Sequence, residues 1–121
     1  MRLLIVDDSN IIRSRIARVA SHPRLRGIDI VGLAKNGAEA VDICIRQSPT
    51  VVTMDLTMPE MDGISCVEKL VEHDANLNIL VVSALSDKAT AIAALKMGAK
   101  GFLQKPFSDE QLVDALLEVS M

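Results

Sequence analysis

The sequence predicts an α/β domain in which five helices cover both faces of a five-stranded parallel sheet. Three observations carry that prediction. Short apolar runs recur along the chain, rich in β-branched residues or closed by turn signals. Segments of helical period separate them in strict alternation. The runs are apolar on both faces, as strands are when helices cover a parallel sheet from both sides.

The elements follow in order. Leu3–Val6 is the first strand, closed at once by Asp7-Asp8. Ser9 is a good N-cap for a helix that places Ile12, Ile16, Val19 and Ala20 on one face. Ser21–Gly27, with Pro23, Gly27 and two arginines, reads as an exposed loop. Ile28–Ala34 is the second strand, and Asn36 caps a helix with the weaker pattern Val41, Cys44, Ile45. Val51–Met54 is the third strand, followed by a helix with Ile64, Val67, Leu70 and Val71 on one face. Ile79–Val82 is the fourth, and Asp87 caps an Ala-rich helix, Ala91 to Met97, that stops at Gly98. Gly101–Leu103 is the last strand. Ser108 then caps a helix spaced i, i+3, i+4, i+7 through Leu112, Ala115, Leu116 and Val119.

Composition bounds the function. A chain of 121 residues is one domain, 1–121, long enough to bury its own core. Phe102 and Phe107 are its only aromatic residues, so that core is aliphatic. A net charge of −3 gives no electrostatic reason to expect nucleic acid or an anionic membrane as a partner. Cys44 and Cys66 lie in apolar-periodic stretches with no C-x-x-C, and read as small core residues in a reducing compartment. His22 and His73 stand alone at helix ends, which argues against a metal site built from them. The apolar run after Met1 is too short for a signal peptide, and no stretch approaches the ~20 apolar residues of a membrane span. The expectation is a cytoplasmic protein with no membrane insertion.

In open α/β sheets ligands bind beyond the carboxyl ends of the strands. The residues there are Asp7-Asp8, Lys35-Asn36, Asp55, Ser83-Ala84 and Gln104-Lys105-Pro106. Convergent carboxylates repel by about 4 kcal/mol per pair at ~4 Å and an effective dielectric of about 20. A divalent cation resolves that repulsion, and few carboxylates with open positions suit Mg²⁺ rather than a caged Ca²⁺. Individually, Asp7 and Asp8 can be solvated turn or cap residues, Ser83 a turn hydroxyl and Lys105 a surface lysine. Together they fit phosphoryl transfer. A carboxylate serves as nucleophile, a metal and a lysine neutralise the transferring oxygens, and a hydroxyl binds one of them afterwards.

Four segments resemble the response-regulator receiver domain: Val6-Asp7-Asp8-Ser9; Met54-Asp55-Leu56-Thr57-Met58-Pro59-Glu60-Met61-Asp62-Gly63; Val82-Ser83-Ala84; and Gly98 through Phe107, ending in Lys105-Pro106-Phe107. The resemblance runs from Leu3 to about Val119. It implies a flavodoxin-like sheet of strand order 2-1-3-4-5, and Asp55 as acceptor of a phosphoryl group from a histidine kinase. It further implies Mg²⁺ held directly by Asp8, with Asp7 assisting through water and with Asp55 and the Thr57 backbone carbonyl also at the metal. Ser83 would hydrogen-bond the phosphoryl group, Lys105 would pair with it, and Phe102 would be the switch aromatic. The Lys105–Pro106 bond would be cis. Position 83 is often Thr in the family and position 102 often Tyr; Ser keeps the hydroxyl, and Phe keeps the inward packing without the polar handle. Thr57 and Leu85 stand where the family tunes dephosphorylation.

The expected partners are a histidine kinase and an output protein that binds the face of helix 4, strand 5 and helix 5, with the protein itself a monomer. It is expected to be a signalling switch that catalyses only its own phosphorylation and dephosphorylation. With its last helix running to Ser120-Met121, the chain is expected to be a stand-alone, chemotaxis-type regulator. The alternative is the amino-terminal module of a longer regulator of methylesterase type, whose receivers the Ser21–Gly27 loop also resembles. A haloacid-dehalogenase-type phosphatase would need a second Asp where this chain has Thr57, and an inserted cap. A flavin- or nucleotide-binding module would need a Gly-rich phosphate loop, which is missing.

Overall fold

A computed structural model describes residues 1–56, 63–84 and 88–120, the Lys88 side chain excepted. The expected N-cap Asp87 lies outside the described residues. Five strands alternate with five helices: β1 (Arg2–Val6), α1 (Asn10–Val19), β2 (Asp29–Ala34), α2 (Gly37–Gln47), β3 (Val51–Met54), α3 (Gly63–His73), β4 (Asn78–Ser83), α4 (Lys88–Met97), β5 (Gly101–Gln104) and α5 (Asp109–Val119). The strands form one parallel sheet in the order β2-β1-β3-β4-β5, as expected.

The alternation of side chains along the central strands divides the core in two. Leu4 and Val6 of β1, Val52 and Met54 of β3, and Ile79 and Val81 of β4 pack with Ala40, Cys44, Cys66, Val67, Leu70 and Ala94 of α2, α3 and α4. Leu3 and Ile5, Val51, and Leu80 and Val82 pack on the other face with Ile16 and Val19 of α1 and Leu112, Val113 and Leu116 of α5. Both faces of β1, β3 and β4 are therefore dry, which is why their sequences read as unbroken apolar runs.

Helix boundaries follow local chemistry. Backbone N–H groups of Ile12 and Glu39 donate to the side chains of Ser9 and Asn36. Ser108 and Gln111 form a reciprocal capping box at α5. Gly98 ends α4 at φ +122°, and a Cβ there would meet Val71 Cγ2 at 2.8 Å, so both backbone and space exclude a side chain.

Four details differ from the sequence reading. In α2 the face toward the sheet is Gly37, Ala40 and Cys44, while Ile45 is 56% exposed. The rotation brings Ile43 over β2, where its Cγ2 would lie 2.5 Å from a Cβ on Gly32. In β2, Ile30 and Leu33 are partly exposed because the strand order leaves this strand at a sheet edge. The Ser21–Gly27 loop is exposed except for the half-buried His22 and for Leu25, which anchors it in the α1–α5 core. His22 does not stand alone: its Nε2 lies 3.2 Å from Glu110 Oε1.

Candidate functional site

The parallel order places β1 and β3 side by side, with Val6 opposite Met54, so Asp7 and Asp55 leave adjacent strands at one level. Asp7 N–H donates to the Ala34 carbonyl and Asp55 N–H to the Val6 carbonyl, extending the sheet pattern into the site. Carboxylate oxygens of Asp7, Asp8 and Asp55 lie within 4.8 Å of one another. Asp7 and Asp55 are buried and Asp8 is exposed, so the cluster opens to water on the Asp8 side.

The ammonium of Lys105, from the loop after β5, completes the cluster. Its Nζ donates to Asp7 Oδ2 at 2.7 Å and lies 3.8 Å from Asp55 Oδ2. Lys105 N–H donates to the Ser83 carbonyl at 2.9 Å, which ties this loop to the end of β4. The Lys105–Pro106 bond is cis, as expected. Ser83 is fully buried at the last position of β4, opposite Gln104 of β5. Phe102 is half-buried on β5 and packs against the cluster on the α2–α4 side of the sheet. Asp7, Asp8, Asp55, Ser83 and Lys105 thus all stand at carboxyl ends of strands. Thr57 and Leu85 lie outside the described residues.

Several supporting contacts went unnoticed in the sequence reading. Ser9 N–H donates to Asp7 Oδ1 at 2.9 Å, which fixes the carboxylate two residues back. Arg13 donates to the Asp7 carbonyl and to Asn10 Oδ1. The D-x-S spacing is a signal for the first contact; the second depends on how α1 leaves the sheet. Gly63 N–H donates to the Leu56 carbonyl, and a Cβ on Gly63 would meet Leu56 Cα at 2.3 Å and Asp55 O at 2.7 Å. The start of α3 therefore presses directly on the backbone that carries Asp55.

Three hard oxygen donors around one point fit a small divalent cation. The oxygens all lie within 4.8 Å of one another, near the ~4.2 Å that separates the most distant ligands of an octahedral Mg²⁺. A doubly wound sheet with such a cluster and a lysine at its carboxyl ends is the architecture of a signalling receiver module. The chain matches the response regulator receiver domain model over residues 3–117 and belongs to that family. It is 41% identical to the chemotaxis protein CheY of Thermotoga maritima, over 98% of this chain and 97% of that protein. It is 37% identical to a protein-glutamate methylesterase/protein-glutamine glutaminase of Archaeoglobus fulgidus, over 94% of this chain but 32% of that protein. Among solved structures, a CheX–CheY–BeF₃–Mg²⁺ complex from Borrelia burgdorferi aligns with a TM-score of 0.93 at 31% identity, covering 100% of this chain and 90% of that one. The chain is thus a receiver domain closely resembling CheY and related to the receiver of chemotaxis methylesterases, and no helix among the described residues is long and apolar enough to cross a membrane.

Proposed function

We propose that Asp55 accepts a phosphoryl group from a histidine kinase and that the modified domain changes its affinity for an output protein in chemotaxis-type signalling. The observation that carries the reading is the convergence of Asp7, Asp8 and Asp55 with Lys105 Nζ at 2.7 Å from Asp7 and 3.8 Å from Asp55. An Asp55 carboxylate oxygen attacks phosphorus and forms the O–P bond, while the P–N bond to the kinase histidine breaks and its electron pair stays on the departing imidazole. Asp7, Asp8 and Asp55 would hold Mg²⁺, with the Thr57 carbonyl as a further ligand. When bound, the ion neutralises charge that develops on the transferring oxygens. Lys105 adds a charge-assisted contact to the same oxygens, and Ser83 donates its hydroxyl to one of them.

Phe102 and Ser83 connect this chemistry to the surface formed by α4, β5 and α5. A hydroxyl drawn toward the phosphoryl group vacates space that the half-buried Phe102 ring fills. Burying such a ring contributes roughly 1.5–3 kcal/mol. Moving a two-state equilibrium from about 1:99 to 99:1 takes about 5.5 kcal/mol, so contacts of Ser83 and Lys105 with the phosphoryl oxygens supply the remainder.

Purified protein with Mg²⁺ and acetyl phosphate should gain one phosphoryl unit by intact mass, and hydroxylamine should remove it as from an acyl phosphate. An Asp55→Asn protein that labels fully would overturn the assignment. Crystal structures of the protein with and without beryllofluoride test the switch: Phe102 is expected to turn inward as Ser83 shifts.

A further inference from the structure

We propose that Arg15 is a positioning residue for Lys105, holding the turn that carries the lysine against the helix that follows Asp7 and Asp8. The proposal rests on the role of Lys105 in phosphoryl transfer given above.

The guanidinium of Arg15 makes three different contacts with one short segment after β5. Its Nη2 donates to the Phe107 carbonyl. Its Nε and Nη2 approach Asp109 Oδ1 at 3.4 and 3.3 Å. Its Cζ lies 4.6 Å from the centroid of the Phe107 ring, within the range of a cation–π contact. Phe107 is itself buried in the α1–α5 core, only two residues beyond Lys105.

Backbone and cap hydrogen bonds among the described residues hold this turn on either side of that contact. Lys105 N–H is held by the Ser83 carbonyl, and Ser108 is fixed by its capping box with Gln111. Arg15 adds a polar tie to α1, beside the apolar packing of Phe107. Two positions earlier on the same helix, Arg13 donates to the Asp7 carbonyl. One helix therefore grips both partners of the Lys105–Asp7 ion pair, at Asp7 through Arg13 and at the Lys105 turn through Arg15.

A bland role, α1–α5 packing alone, predicts lost stability and nothing more specific. A positioning role predicts a split. The lysine's contribution depends on where Nζ sits, and a displacement of the order of 1 Å can cost up to about a hundredfold in rate. Cation binding depends on the three carboxylates, from which a displaced ammonium only withdraws competition.

The test compares native protein with Arg15→Ala, Arg15→Lys, Lys105→Ala and the Arg15→Ala/Lys105→Ala double variant. Three readouts are the labelling rate with acetyl phosphate at saturating Mg²⁺, Mg²⁺ affinity by calorimetry, and the ¹³Cε resonance of Lys105. Arg15→Ala should slow labelling about tenfold or more and leave Mg²⁺ affinity equal or higher. Arg15→Lys, which keeps the charge and is the less disruptive change, should also slow labelling, because an ammonium cannot serve the carbonyl, the carboxylate and the ring together. Both should shift or broaden the Lys105 ¹³Cε resonance. On the Lys105→Ala background, Arg15→Ala should leave the rate unchanged within about twofold. Equal slowing on both backgrounds, Mg²⁺ affinity lost in step with rate, or native-rate Arg15 variants beside a slowed Lys105→Ala would overturn the proposal. A Lys105→Ala protein that labels at the native rate overturns the reading of Lys105, and the Arg15 proposal with it.

Discussion

Lys105 leans on Asp7: its Nζ lies 2.7 Å from Asp7 Oδ2 and 3.8 Å from Asp55 Oδ2. Asp7 is 1% and Lys105 16% exposed at the side chain, so the attraction is only partly screened by water. A positive charge in that place helps the phosphoryl group and hinders a cation bound by the same carboxylates.

Lys105→Met should therefore move two properties in opposite directions. Mg²⁺ affinity should rise about tenfold, or ~1.4 kcal/mol, since like-charge repulsion is removed from a partly buried site. Labelling by acetyl phosphate should fall about 10²–10³-fold, as for loss of one preorganised donor. Calorimetric titration with Mg²⁺ checks the first and intact mass against time the second. Weaker Mg²⁺ binding would mean that the lysine supports the acidic cluster instead of competing with the ion.

Gly63→Ala should damage fold and site together. The new methyl would lie 2.3 Å from Leu56 Cα and 2.7 Å from Asp55 O, both backbone atoms that no rotamer change can move aside. Relief requires the start of α3 or the Asp55–Leu56 segment to shift, at a cost of roughly 1–3 kcal/mol. Urea denaturation should show that loss, and the folded fraction should label at Asp55 more slowly than native protein. Native stability in this variant would show that α3 can slide without strain.

The sequence made the fold legible because its two signals agreed. Continuous apolar runs marked strands covered on both faces, and Ser9, Asn36 and Ser108 marked helix starts that the structure confirms with side-chain hydrogen bonds. It was weaker where three-dimensional order decides. An apolar run does not reveal that β2 lies at an edge, and a sparse pattern did not orient α2, so Ile45 was placed on the wrong face. Asp7, Asp8, Asp55, Ser83 and Lys105 were legible because each follows or ends a recognisable strand. Arg15 was not, since its partners lie more than ninety positions away and no local period records the contact.

Cys44 and Cys66 are 2% and 0% exposed, and neither is in a disulfide. Burial, and then the charge of Asp74, push the Cys44 thiol above its ordinary range, so the reactive thiolate is scarce at neutral pH. In native protein a thiol reagent at about pH 8 should modify neither residue in the time that labels both in denatured protein. Rapid labelling of one cysteine without unfolding would show that α2 and α3 separate locally.

Thr53 carries the clearest unsatisfied group of the core. It lies on β3, 1% exposed, between Ile5 of β1 and Leu80 of β4, and its Oγ1 has no hydrogen-bond partner among the described residues. By alternation it shares a sheet face with Val51, which packs toward α1 and α5. A buried hydroxyl left without a partner costs about 1–3 kcal/mol. Thr53→Val keeps the branched shape suited to a strand and removes the hydroxyl, so it should stabilise the fold by about 1 kcal/mol and raise Tm by a few degrees. Thr53→Ser keeps the hydroxyl and deletes a buried methyl, so it should destabilise by about 1 kcal/mol. Thermal and urea denaturation of the pair separate the two contributions. Thr53 stands two residues before Asp55 in the same strand, and its replacement by Val leaves every contact of the acidic cluster in place; the labelling rate should stay near native. A Val variant less stable than native would show that the hydroxyl is bridged by a buried water, and that the polar layer beneath the site extends two strand positions deeper than the carboxylates.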